Sequence, residues 1–244
     1  KVLLLLAIGA ISFASYAGGP DQWSSDGRPG QTARVPQDNE FKVCADPNNM
    51  PYSNSNSEGF ENKIAEVLAD DLGRELSFQF WPDRFGFIRN TIKANRCDVI
   101  IGTNTTYDAL NTTKPYYRAG HVWIYRKDSG YKIDNWDSPD LRKGVIGIVD
   151  KSPVAQALNA NNLMANAKPY RLMRDLTKSP GQLVDHVVSG EIDVAIMWGP
   201  IGGYYAKQSK EDLVVVLIPE YSEGNEKLTG KTYWNISAGV RKKD

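Results

Sequence analysis

The 244-residue sequence predicts two α/β lobes of similar build, and three observations carry that prediction. The order strand, helix, strand, helix, strand runs over residues 41–102 and again over residues 145–199. The closing strands of the two runs are alike, Arg96-Cys97-Asp98-Val99-Ile100-Ile101-Gly102 against Glu191-Ile192-Asp193-Val194-Ala195-Ile196-Met197-Trp198-Gly199. A last strand over residues 233–241 follows the second run and can return to the first lobe. Two crossings between lobes make a hinge with a cleft. This reading assigns residues 41–126 and 218–244 to lobe 1, and residues 127–217 to lobe 2.

Ahead of the lobes, Lys1 is followed by about ten apolar residues and then by small residues at Ser15 and Ala17. Residues 1–17 read as a secretory signal peptide, too short to span a bilayer, with an uncleaved anchor as the rival reading. Residues 18–40, rich in Gly, Pro, Ser, Gln and Asp, read as a flexible leader. Export makes a Cys44–Cys97 disulfide the expectation, against two free buried thiols.

In the first run, residues 41–46 form a strand that stops at Asp46-Pro47-Asn48-Asn49-Met50-Pro51-Tyr52-Ser53. Phe60, Ile64, Val67, Leu68 and Leu72 share a helical face, and Gly73 stops the helix. Glu58 and Glu61 sit at its start, where the helix dipole favours acid. Residues 76–81 alternate as a strand, and residues 84–94 read as a helix with Phe85, Ile88 and Ile92 inward. The run 98–102 is apolar throughout, the pattern of a strand buried on both faces. A strand over residues 121–126 follows.

The second run repeats this with a strand at 145–149, a helix capped by Ser152-Pro153, and a strand at 169–173. A second Ser-Pro pair, Ser179-Pro180, opens a helix with Leu183, Val184, Val187 and Val188 on one face. The strands 193–199 and 213–218 complete it. Asp98 and Asp193, each at the start of a strand, are expected to cap the turn before it.

Net charge is zero, which argues against nucleic acid or an anionic membrane as partner. Two cysteines far apart and two histidines, His121 and His186, make no structural zinc site, so no metal or cofactor is expected. No nucleophile elbow or phosphate loop occurs, and the chain is not expected to be an enzyme.

Beyond these patterns, Val43-Cys44-Ala45-Asp46-Pro47-Asn48-Asn49-Met50-Pro51-Tyr52-Ser53, Gly59-Phe60-Glu61-Asn62 and Trp81-Pro82 form a specific set. With them belong Gly86-Phe87-Ile88-Arg89-Asn90-Thr91, Lys114-Pro115-Tyr116-Tyr117-Arg118 and Trp198-Gly199-Pro200. Taken together these stretches resemble the type II periplasmic solute-binding proteins. More closely they resemble the MxaJ/XoxJ family, which is associated with quinoprotein methanol dehydrogenases. The resemblance implies a two-lobed type II fold in the periplasm. It also implies an accessory role in the interaction, maturation or activation of a PQQ-dependent methanol dehydrogenase, which would be the partner. The other reading is a solute receptor of an ABC-type transporter for a small molecule that is not a standard amino acid.

Amino-acid receptors hold a zwitterion with an arginine after the first lobe's third strand and an aspartate after the second's. Here those places read Thr105-Thr106-Tyr107-Asp108 and Met197-Trp198-Gly199, without either charge. The candidate cleft residues are Asp46, Asn48, Asn49, Tyr52, Ser53, Glu61, Trp81, Arg84, Thr103, Asn104, Tyr107 and Trp198. For the loop after the first strand, plain turn formation is the competing reading. Trp123 is expected to pack in the core, and Tyr116 and Tyr117 to point opposite ways.

Overall fold

The computed structural model describes residues 37–84, 86–173, 175, 177–219 and 231–242. The expected signal peptide, most of the expected leader and Phe85 lie outside these residues.

The first repeat begins with β1 (Glu40–Ala45) and a short hairpin of β2 (Asn48–Asn49) and β3 (Ser53–Asn54). It continues with α1 (Phe60–Leu72), β4 (Glu75–Phe80), α2 (Phe87–Asn90), β5 (Val99–Asn104) and β6 (Leu110–Thr112), and leads into β7 (Tyr117–Arg126). The second repeat is β8 (Ile146–Val149), α3 (Val154–Ala160), β9 (Ala167–Tyr170), α4 (Gln182–Val188) and β10 (Val194–Trp198). After it come α5 (Gly199–Gln208), β11 (Leu213–Leu217) and β12 (Tyr233–Arg241).

Strand order makes the repetition concrete. In the first repeat β1 lies between β4 and β5, and in the second β8 lies between β9 and β10, all parallel. Each third strand then meets one long antiparallel strand, β12 beside β5 and β7 beside β10. β12 and β7 also pair with each other, Tyr233–Ile236 against Tyr117–Gly120. Farther along β7, Val122–Arg126 pairs with β11 on the same side. One ten-stranded sheet therefore runs through the protein, changing partners within β7.

Asp98 and Asp193 cap as expected, by the same reciprocal device. The Asp98 carboxylate accepts the Lys42 amide at 2.8 Å, while its own amide donates to the Lys42 carbonyl at 2.8 Å. Asp193 does the same to Val145, at 2.7 and 3.0 Å. The Cys44–Cys97 disulfide joins β1 to the turn before β5 in a core with Phe87, Ile92, Ile100 and Leu110. Trp123 is fully buried, its ring 5.2 Å from that of Trp136.

Several expectations need correction. On α1, Val67 and Leu72 face solvent at 67% and 52% exposure, whereas Asn62, Ala65 and Ala69 are buried. The small alanines let the helix lie close on the core of Val43, Val99 and Ile101. The helix expected over residues 84–94 is only α2 and a following 3₁₀ turn, Ile92–Ala94. Thr91 leaves helical geometry and donates its hydroxyl to the Phe87 carbonyl at 2.6 Å. This turns Phe87 and Ile92 inward and leaves Ile88 half-buried.

Ser152 makes no side-chain cap to α3, and its Oγ is buried without a hydrogen-bond partner among the described residues. Ser179, by contrast, accepts the Gly181 amide at 3.1 Å ahead of α4. β9 ends at Tyr170 because its four residues are in register with the four of β8. β7 starts at Tyr117 rather than His121, since its first residues pair with β12. Among the described residues, no helix is long and apolar enough to cross a membrane.

The two aspartate caps differ in exposure, and removal of the carboxylate should reveal it. The Lys42 amide is partly buried and the Val145 amide exposed. An unsatisfied buried amide costs about 1–3 kcal/mol, whereas an exposed one turns to water and costs about 0.5–1.5 kcal/mol net. Urea denaturation should therefore show D98A to be more destabilised than D193A. Equal losses would mean that the two caps work in the same solvent environment.

Candidate functional site

The loop after β1 is shaped by Asp46, which lies beneath the surface. Its carboxylate accepts backbone amides from Asn48 at 2.7 Å and from Asp83 at 2.5 Å, with Arg84 3.9 Å away. Burial raises its pKa against the opposing pull of those two amides and Arg84. Ser53 locks the same turn: its hydroxyl donates to the Asp46 carbonyl at 2.8 Å and accepts the Asp46 amide at 3.1 Å. Asp46 thus ties the loop after β1 to the loop after β4.

Gly59 lets that loop rest on the start of α1, since a Cβ there would come within 2.1 Å of the Tyr52 carbonyl oxygen. Asn62, one turn into the helix, accepts the amides of Gly59 and Asn54, both at 3.1 Å. The result is that Asn49, Tyr52 and Glu61 are brought to one side.

That side is a cavity of about 520 Å³, within the usual range for small-molecule sites. It lies at the carboxyl ends of the parallel strands, where open α/β sheets bind ligands. Of the twelve candidates read from the sequence, Asn49, Tyr52, Glu61, Thr103, Asn104, Tyr107 and Trp198 line it. Asp46 and Ser53 are structural supports beneath it, and Asn48 is exposed in the β2–β3 hairpin. Trp81 packs beside the disulfide, with the Arg96 guanidinium 5.7 Å from its ring. Arg84 donates to the Asp83 carbonyl at 3.2 Å and does not line the cavity.

Sequence reading missed Asp83, Tyr117, His121, Trp234 and Ile236 among the lining residues. Asp83 follows Pro82 and looks like a turn former, whereas the others reach the cavity only because β7 and β12 pair. In β12 the alternation of Trp234, Ile236, Ala238 and Val240 was an available signal, whereas the continuous apolar run of β7 does not say which side faces the cavity.

Aromatic rings form one wall. His121, Trp198 and Trp234 meet edge to face, with centroids 5.4, 5.5 and 5.7 Å apart. The Trp198 Nε1–H donates to the Tyr52 hydroxyl, which also shares a hydrogen bond with Tyr117. Tyr116 and Tyr117 do not point opposite ways: their rings meet edge to face at 5.1 Å, with Tyr117 lining the cavity and the more exposed Tyr116 donating its hydroxyl to the Ile101 carbonyl at 2.8 Å. His121 Nδ1 lies 3.1 Å from the Thr232 carbonyl, so this nitrogen carries the proton. Burial lowers the pKa of His121, keeping the ring neutral and leaving Nε2 an acceptor.

The other wall is acidic. Glu61 sits in the first turn of α1, yet burial outweighs the helix dipole and, with the nearby charge of Asp83, pushes its pKa up to about 8. Its Oε1 lies so close to Gly102 that a Cβ there would be 2.0 Å away. Asp83 is crowded by its neighbours yet still open to solvent from the cavity; confinement and the Asp46 carboxylate raise it to about 6, against Arg84. Among the described residues, no group of three His, Cys, Asp or Glu side chains is placed to hold a metal ion.

Residues 41–232 match the family described as bacterial extracellular solute-binding proteins, family 3. The protein MoxJ of Paracoccus denitrificans is 30% identical over 213 residues, covering 83% of this chain and 77% of that one. The crystal structure of MxaJ from Methlophaga aminisulfidivorans superposes with a TM-score of 0.70 at 31% identity, over 84% of this chain and 87% of that one. That of the periplasmic binding protein XoxJ from Methylobacterium extorquens gives 0.66 at 33% identity, over 82% and 84%. The fold is the two-lobed type II binding-protein architecture.

The raised Glu61 pKa has a consequence for stability. Between its ordinary value of 4.5 and about 8, the folded chain holds a proton that the unfolded chain has released. Stability therefore falls as pH rises through that window, by up to about 1.4 kcal/mol per pH unit. Urea denaturation at several pH values should show E61Q to lose most of this slope. A slope unchanged in E61Q would assign the titration to another group.

Proposed function

The chain belongs to the family 3 bacterial extracellular solute-binding proteins, and within them to the MxaJ/XoxJ family, and on that premise we propose that it is a periplasmic accessory protein of a PQQ-dependent methanol dehydrogenase. Its role is in the interaction, maturation or activation of the dehydrogenase, with the receptor scaffold reused as an interaction body. We assign residues 41–126 and 218–244 to one lobe and 127–217 to the other, with no catalytic step in either.

The observation that supports this most is the lining of the cavity. Among the described lining residues there is no arginine or lysine to hold a ligand carboxylate, and Trp198 ends β10. Each missing desolvated charge contact costs a zwitterion about 2–5 kcal/mol. Delivery of an ordinary amino acid is therefore a poor account of the site.

A second reading is favoured by a different observation, the retained volume of about 520 Å³ walled by aromatic rings. On this reading the chain is a solute receptor of an ABC-type transporter for a molecule other than a standard amino acid.

The accessory role is tested in two ways. Affinity capture with the tagged chain from a periplasmic extract should retain the dehydrogenase, and a strain lacking the gene should lose methanol dehydrogenase activity. Full activity in that strain, with no complex recovered, would overturn it.

A further inference from the structure

We propose that the cavity takes an organic cation, a small molecule with an alkylated ammonium head and no carboxylate. This rests on the second reading, of the cavity as a solute site, and names the class of solute.

The walls offer negative charge and aromatic faces. Glu61 and Asp83 supply two carboxyl groups, close enough for each other's charge to matter, and the described lining supplies no opposing cation. Asn49 also lines the cavity; it is buried, and its Oδ1 has no hydrogen-bond partner among the described residues. His121 presents Nε2 as an acceptor because Nδ1 is committed to Thr232. The Trp198 N–H, a donor that an anion would use, is already given to Tyr52. The described lining therefore carries carboxyl groups and no lysine or arginine, which suits a positive guest.

Much of the remaining surface is aromatic, from Tyr52, Tyr107, Tyr117, Trp198 and Trp234. Ring faces attract cations, and quaternary ammonium groups are held by such walls. Trp234 already receives a cation from outside the lining, with the Lys231 ammonium 5.6 Å from its ring centroid. A hard metal ion is a poor fit, since it asks for six or more oxygens and finds rings. The volume leaves room for substituents beyond the head group.

A permanent cation adds a signature in pH. The groups facing Glu61 are Asp83, Tyr52, Tyr116 and Tyr117, and all three tyrosines are held above their ordinary range and stay neutral. Asp46 and Arg84 bear on Asp83, and His121 across the cavity is neutral. The cation favours ionised Glu61, so binding releases a proton and affinity rises as pH climbs towards about 8.

The test is calorimetric titration of the whole mature chain with choline and benzyltrimethylammonium, with their neutral carbon isosteres, and with lysine. The two cations should bind about tenfold or more tightly than the isosteres. D83N should weaken them, and E61Q should weaken them and flatten the rise with pH, with thermal melts verifying that both variants fold. Isosteres binding as well as the cations, or lysine binding best, would overturn the class while leaving a solute site. No binding by any probe would overturn the class and the receptor reading together.

Discussion

The pairing of β7 with β12 is the constraint on which the rest of the structure depends. Each parallel repeat ends in a third strand whose outer edge needs hydrogen bonds, and a buried edge left bare is costly. The two long antiparallel strands cover both edges and pair with each other as well. This brings the carboxyl ends of β5 and β10 to a common space. It also delivers His121 from one strand and Trp234 from the other to the same wall.

Within that space, burial and charge work against local helix chemistry. The start of α1 would favour an ionised Glu61, yet the crowding that carries Glu61 against Gly102 and beside Asp83 makes its charge expensive. Asp46 shows how the same force is managed elsewhere, where two backbone amides and Arg84 offset part of the cost. One carboxylate organises loops, and the other two are left for the cavity.

Much of this was legible in the sequence, and the failures have physical causes. The strands and the twin aspartates were readable because a short apolar run opened by a polar residue fits little besides a buried strand and its cap. The cavity candidates at Asn49, Tyr52 and Trp198 followed from the carboxyl ends of strands. α5 was not anticipated, since Gly199, Gly202 and Gly203 weaken the helical pattern; Gly202 is a packing choice, since a Cβ there would be 2.7 Å from Ile124 Cδ1. Asp46 and Trp81 do not line the cavity because residues near a strand end can turn to either side. Which side they take is set by partners distant in the chain, Asp83 and Arg96.

The hydrogen bond between Trp198 and Tyr52 joins residues 146 positions apart, one from each repeat. On the reading of the cavity as a solute site, such a bond is a latch between the repeats. Opening exchanges it for bonds to water, so its net hold is only about 0.5–1.5 kcal/mol. A latch that weak is released often by thermal motion, and what enters can then decide how long the door stays shut. The edge-to-face rings around it add about 0.5–1.5 kcal/mol per pair. On that same reading, selection falls to the acidic wall behind.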